Sequence, residues 1–219
     1  MANSIQRSFS ESRRRSCGEA RLVVVDSFNE KNLLDRHRKL LFGLAGSEVL
    51  FSFECNGGWA SLIDGILCLI DKYCAKHNLD IRVVQIKEKF GLLRVYVDGG
   101  DVVIDRILDV AELVSSCTCE ICGELGRYYE INGWLQVRCL RHQLQMSSEA
   151  TPVFSEDYSM NVAKTISLIL WFFGGDYACW LSQECLALGR VRPVEALTSI
   201  QGCQAVHDFL RRQEHGVVS

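Results

Sequence analysis

Apolar residues recur at helical spacing over much of the chain, interrupted by one β-branched stretch. Leu33, Leu34, His37, Leu40 and Leu41 share one helical face, with Asn29 placed as an N-cap. From Trp59 to about His77, Leu62, Ile63, Ile66, Leu67, Leu69, Ile70 and Tyr73 predict a long, buried helix. Ile81–Ile86 and Leu92–Val97 read as strands of a hairpin, joined by the charged connection Lys87-Glu88-Lys89-Phe90-Gly91. Leu22–Val25 and Val49–Phe53 are shorter strand candidates. Asp101 is placed to cap a helix running to about Ser116.

Beyond His142 the periodicity lapses. Gln143–Pro152, with Ser147-Ser148-Glu149 and Thr151-Pro152, suits a linker. From Phe154 onward the pattern is helical, over Tyr158–Phe173, Asp176–Leu186, Pro193–Thr198 and Gly202–His215. Pro193 fits a first helical turn, where its missing N–H costs nothing. The expected class is α+β: a small zinc-stabilised module of hairpin and helices over 21–146, then an all-helical bundle over 153–219. Residues 1–20, polar and without periodicity, read as a disordered tail. Arg13-Arg14-Arg15 within it fits a solvated segment better than a binding footprint.

Composition adds limits. Hydrophobic residues make up 48% and charged residues 23%, so real cores can be buried. The net charge of −3 supplies no global field for nucleic acid or anionic lipid. Ile166–Phe173, the most apolar run, is far below the ~18–20 residues that span a bilayer. No signal-type apolar segment opens the sequence, so a reducing, cytoplasmic setting is expected. The eleven cysteines are then buried thiols or metal ligands rather than disulfides. Cys55, Cys68, Cys74, Cys179, Cys185 and Cys203 are expected as small buried hydrophobes.

The chemistry concentrates in Cys119-x2-Cys122, sixteen residues, then Cys139-x2-His142. Each pair bends round one metal ion, and together the pairs close a tetrahedron. Thiolates with an imidazole favour structural zinc over magnesium or calcium. Gly123 relieves crowding under the sulfurs. Cys117, two residues before Cys119, competes with the first pair as a candidate, but Cys-x-Cys spacing holds a metal less naturally and favours a place behind the ligands. With four protein ligands, no open catalytic position is marked. Arg127, Tyr128, Tyr129, Trp134, Arg138 and Arg141 surround the motif. They fit nucleic-acid binding or, as the negative charge favours, aromatics packing the module beneath a solvated arginine surface. Lys87, Lys89 and Arg94 form a possible second binding surface, or else a charged edge that keeps the hairpin soluble. His37 and His77 read as surface or helix-end residues rather than ligands.

Two resemblances extend this reading. Phe53-Glu54-Cys55-x2-Gly58-Trp59, Val83–Gly91 with Arg94-Val95, Ala111-Glu112, Cys119-Glu120-x-Cys122-Gly123, Gly133-Trp134-Leu135 and Cys139-x2-His142 resemble a family of uncharacterised phage and bacterial zinc-knuckle proteins, which implies no activity. Farther on stand Phe173-Gly174, Ala178-x-Trp180-Leu181, Leu188-Gly189-x-Val191-Arg192-Pro193-Val194-x2-Leu197, Gly202, Val206, Leu210 and Gly216. From about 160 to 217 these resemble the toxin-binding domain of the Xre/MbcA/ParS antitoxins.

That resemblance implies a helical, commonly dimeric domain that binds a toxin, usually of the NAD-consuming RES type. In some members the C-terminal end plugs the toxin's cleft. Carried over, the contacts are Arg211, Arg212, His215, Val217, Val218 and Ser219. Arg190 stands where relatives more often have a second glycine. The N-terminal DNA-binding motif of many relatives has no counterpart, so DNA binding is not carried over. The expected function is a non-enzymatic, antitoxin-like binding protein that forms homo-oligomers through its C-terminal domain. The alternative is a zinc-dependent nucleic-acid-binding or phage–host interaction protein using the middle domain. No nucleophile, base or open metal position points to an enzyme.

Overall fold

The computed structural model describes residues 27–42, 51–144 and 152–214. The expected tail over 1–20, the strand at Leu22–Val25, most of the linker, and the contacts His215, Val217, Val218 and Ser219 lie outside the described residues. The architecture is α+β, with a small sheet region followed by helices.

Helix α1 (Ser27–Arg36) begins before Asn29, which is therefore inside the helix rather than its cap. A turn at His37 leads into α2 (Arg38–Phe42). His37 N–H still donates to the Leu33 carbonyl, so the helical face runs through the turn and buries Leu33, Leu40 and Leu41. Only Phe53–Glu54 forms β1 in the Val49–Phe53 region; residues 49 and 50 are not described. A tight turn over Gly57–Trp59 then enters α3 (Ala60–His77), the central helix. Its left-handed C-cap, Asn78 at φ 53°, returns an N–H to the Cys74 carbonyl.

Strands β2 (Arg82–Lys89) and β3 (Leu92–Asp98) are antiparallel, and β1 adds to β2 in parallel. Lys87, Glu88 and Lys89 belong to β2 itself, opposite Arg94, Leu93 and Leu92; the connection is Phe90-Gly91 alone. Both turn residues have positive φ (57° and 77°), the geometry whose twist matches paired strands. Helix α4 (Val102–Ser115) covers β3 and packs on α3. Its cap is as expected: Asp101 Oδ1 accepts from the N–H groups of Val103 and Ile104 at 2.9 and 3.1 Å.

Next come the hairpin β4 (Arg127–Ile131) and β5 (Trp134–Arg138), then α5 (Leu140–Leu144). The C-terminal helices are α6 (Glu156–Phe173), α7 (Tyr177–Ser182), α8 (Pro193–Ala196) and α9 (Ile200–Glu214). The last helix begins at Ile200, so Gly202 sits inside α9 rather than at its start. An added Cβ there would overlap the Ala196 backbone, so glycine lets α9 lie against the end of α8. Leu181 is fully buried, whereas Trp180 is only half-buried, stacked on Phe173 at 4.6 Å. Among the described residues no helix is long and apolar enough to cross a membrane.

One buried apolar cluster runs from Leu33 through α3, β2 and α4 to Leu210. The elements before and after Gln143–Pro152 in the sequence therefore share one core. Helix α3 packs along α6, and Ser61 ties them: its hydroxyl accepts from Ser155 N–H at 2.9 Å and its carbonyl from the Ser159 hydroxyl at 2.8 Å. Cys55, Cys74 and Cys203 are buried as expected, but Cys179 is exposed and Cys68 and Cys185 are half-buried.

Candidate metal centre and partner-binding helices

The metal motif begins where α4 ends. Ser116 and Cys117 close the last turn, and Thr118 Oγ1 returns to the Val114 carbonyl at 2.8 Å. The chain then folds into a knuckle. Cys119 N–H donates to the Glu124 carbonyl at 2.7 Å and Gly123 N–H to the Cys119 carbonyl at 2.9 Å. Gly123 has φ 84°, and a Cβ there would stand 2.8 Å from the Gly58 carbonyl oxygen. Its role is thus close approach as well as turning. The second pair of ligands comes from the end of β5 and the first turn of α5.

The four donor atoms of Cys119, Cys122, Cys139 and His142 lie within 4.8 Å of one another. Cys122 and Cys139 sulfurs are 3.8 Å apart, and His142 Nδ1 lies 3.5 Å from Cys119 Sγ and 3.2 Å from Cys139 Sγ. A tetrahedron with metal–sulfur bonds of about 2.3 Å has sulfur–sulfur edges of about 3.8 Å. The cluster could therefore hold one four-coordinate metal ion. A hydrogen bond from Cys122 draws the Cys119 thiol down to about 4, against burial, and the same bond raises the Cys122 thiol. A bound cation would ionise such thiols outright.

Cys117 takes no place in this group. Its sulfur faces Ser116 Oγ and, at 4.0 Å, the Arg192 guanidinium, and burial pushes its thiol up. A second cluster, His37, Asp64 and Cys68, also brings donor atoms together. Here His37 Nε2 and Asp64 Oδ1 are hydrogen-bonded at 2.8 Å and Arg36 Nε sits 3.3 Å from the same oxygen. The Arg36 guanidinium thus already supplies a positive charge beside Asp64. Against expectation, then, His37 is neither a surface residue nor a free helix end. It is 5% exposed and braces α2 to α3 through Asp64.

The knuckle is keyed to the main core. Trp59, fully buried, donates from Nε1 to the Thr118 carbonyl at 3.0 Å. Gly58 N–H donates to the Glu120 carbonyl at 2.9 Å, and a Cβ on Gly58 would overlap the Cys119 carbonyl. Glu120 is 2% exposed and pairs with Arg138 at 2.8 Å. Burial pushes its carboxyl up to about 7, against the pull of Arg138. These supports escaped the sequence reading, and so did the β4–β5 hairpin, although Asn132-Gly133 between apolar-aromatic runs is a direct hairpin signal. The aromatics do not all pack inward: Trp134 is 69% exposed and Tyr128 lies half out, against Gly91 of the first hairpin.

Lys87 and Arg94 stand opposite each other on β2 and β3, and Lys89 is two residues farther along β2. Arg94 is not free: it is ion-paired with Glu112 of α4. Lys87 lies over the Tyr96 ring at 5.2 Å and Lys89 over Phe90 at 5.5 Å.

In the helical part, Tyr158 OH donates to the Leu197 carbonyl at 2.9 Å and Thr165 Oγ1 to the Cys203 carbonyl at 3.2 Å, binding α6 to α8 and α9. Tyr177 OH reaches Asp109 of α4 at 2.9 Å. Cys185 and Val191 pair across a tight loop holding Gly189 and Arg190, both left-handed (φ 71° and 64°). Arg190 is thus a residue with a side chain in a backbone region that glycine adopts without steric cost. Arg211 and Arg212 occupy the last turn of α9. Arg211 pairs with Glu214 at 2.6 Å, and Arg212 Nε donates to the Asp208 carbonyl at 3.2 Å.

No curated protein and no solved structure matches the chain. The resemblance of the middle residues to a zinc-knuckle family has no support. Residues 169–216, from the C-terminal end of α6 through α9, match the family described as the antitoxin Xre/MbcA/ParS C-terminal toxin-binding domain.

Proposed function

We propose that the protein is a non-enzymatic, antitoxin-like binding protein that sequesters a partner toxin through α6–α9. The observation that carries this reading is the family match over residues 169–216. It falls on the end of α6 and on α7–α9, and Tyr158 and Thr165, earlier in α6, tie α8 and α9 to that helix through the carbonyls of Leu197 and Cys203. The partner contacts we assign are Arg211, Arg212, His215, Val217, Val218 and Ser219, at and beyond the end of α9. A RES-type, NAD-consuming toxin is the partner class the family suggests. The same unit is proposed to pair with a second copy of the chain.

Cys119, Cys122, Cys139 and His142 are proposed to hold a structural Zn2+. Three sulfurs and one imidazole suit zinc, and four protein ligands leave it no open position. Its role is to hold the knuckle against Gly58 and Trp59. The test is co-expression of the tagged, full-length chain with the products of its neighbouring genes. A toxin that co-purifies, and whose toxicity the chain suppresses, is the expected result. A neighbourhood whose products neither bind nor poison the cell would remove the reading.

A further inference from the structure

Helices α3, α4, α6 and α9 enclose an open groove of about 900 Å³. Its floor is apolar, built from Leu69, Ile107 and Leu168. Lys72, Lys76, Arg106, Lys164 and Arg211 converge on it from all four helices. Among the described residues, Lys72, Lys76, Arg106 and Lys164 form no ion pair. Among the described residues Glu214 is the single acid on the lining, and it is held by Arg211. Trp171 lies on the same lining with 66% of its surface exposed. A chain of net charge −3 thus gathers unpaired cations round one apolar cleft. None of the folding contacts described above requires that arrangement, and mutual repulsion opposes it.

We propose that this groove receives an acidic peptide segment of the partner protein, its carboxylates meeting the lysines and its apolar side chains the floor and Trp171. The inference rests on the partner-binding reading above and adds the partner's chemistry and its seat. Only Leu170, Trp171, His207, Arg211 and Glu214 of the lining fall inside the family-matched residues. The rest comes from α3, α4 and the earlier part of α6, so the seat would be a property of the whole chain. A protein segment fits better than nucleic acid. The cleft is apolar-floored, and a chain of net charge −3 supplies no general positive field for a long polyanion. Charge complementarity of this kind sets on-rate and partner choice.

The test uses the full-length chain and three fluorescent probes. These are a short amphipathic peptide of glutamate and leucine, the same peptide with lysine in place of each glutamate, and a short oligothymidylate. The acidic peptide should bind, weaken as salt screens the rim, and lose about tenfold or more in affinity to the double variant Lys76→Glu/Lys164→Glu. The lysine peptide should ignore the wild type and bind that variant, a gain that misfolding cannot produce. Failure of the acidic peptide to bind, or tighter binding of the oligothymidylate, overturns the proposal. The co-expressed partner separates this inference from the one it rests on. A partner captured equally by wild type and variant overturns the groove assignment and leaves partner binding intact. Acidic-peptide binding that the reversal abolishes, with no partner captured by either protein, supports the groove as a peptide site while removing the antitoxin reading.

Discussion

Gly65 of α3 lies directly under Ser159 of α6: an added Cβ would stand 2.6 Å from the Ser159 carbonyl oxygen and 2.6 Å from Val162 Cγ1. The long helix of the middle region and the first helix of the C-terminal region meet here at backbone distance. Gly65→Ala would gain about 1 kcal/mol of helix propensity. It would also force the backbones apart, an overpacking cost of typically about 1–3 kcal/mol. We expect net destabilisation, read as a lower urea midpoint with an unchanged slope. A midpoint at or above that of the wild type would show that α3 and α6 do not approach this closely.

Metal removal should act locally first. The ligands carry their own small cluster, with Ile121 beside Cys119 and Cys139, apart from the main core. Zinc-binding energy is folding energy for such a knuckle. Chelation, or Cys139→Ser, should expose the amides of residues 117–144 to hydrogen exchange. The amides of α3, α6 and α9 should keep most of their protection. One equivalent of zinc per chain should accompany the folded knuckle by elemental analysis. A metal-free chain with a protected β4–β5 hairpin would contradict the assignment.

What the sequence revealed and what it hid have physical causes. The α3 and α6 helices, the β2–β3 hairpin and the Asp101 cap rest on local signals, periodicity or a cap followed by an apolar run, and they are legible. The four clustered donors are legible for the same reason: Cys119 and Cys122, then Cys139 and His142, are close in sequence. The two-residue β1 has no pattern, because its pairing with β2 is set by tertiary contact. His37 was misread because its partner, Asp64, lies 27 residues away. The continuous core was hidden too. A polar stretch near 150 looks like a boundary, whereas the close approach of Gly65 to Ser159 belongs to a pair of distant residues.

Asp101 links the α4 cap to pH. Burial raises its carboxyl, but hydrogen bonds from Ile104 N–H, Tyr73 OH and Val103 N–H outweigh it and hold the group below its ordinary 3.8. A depressed folded value means that the stabilisation is present above the unfolded value near 3.9 and is lost as pH falls through the folded one. Asp101→Ala should cost about 1 kcal/mol at neutral pH, the usual worth of an N-cap. The gap between variant and wild type in thermal melts should narrow below about pH 4. A gap that stayed constant into acid would mean the carboxylate charge contributes nothing to the cap.

Arg190 offers the opposite sign. It holds φ 64° in the loop between Cys185 and Val191, where its N–H donates to the Cys185 carbonyl at 2.9 Å. A side chain in the left-handed region costs roughly 1–2 kcal/mol. Arg190→Gly removes that strain but adds freedom to the unfolded chain, a loss of about 0.4–1 kcal/mol. The side chain is exposed and forms no ion pair among the described residues, so little else is given up. The variant should be more stable than the wild type by about 0.5–1 kcal/mol, seen as a higher denaturation midpoint. Partner binding should be unchanged if Arg190 serves only the turn. A more stable variant that no longer held its partner would instead place the Arg190 side chain in the interface, and so explain why this chain keeps a strained residue there.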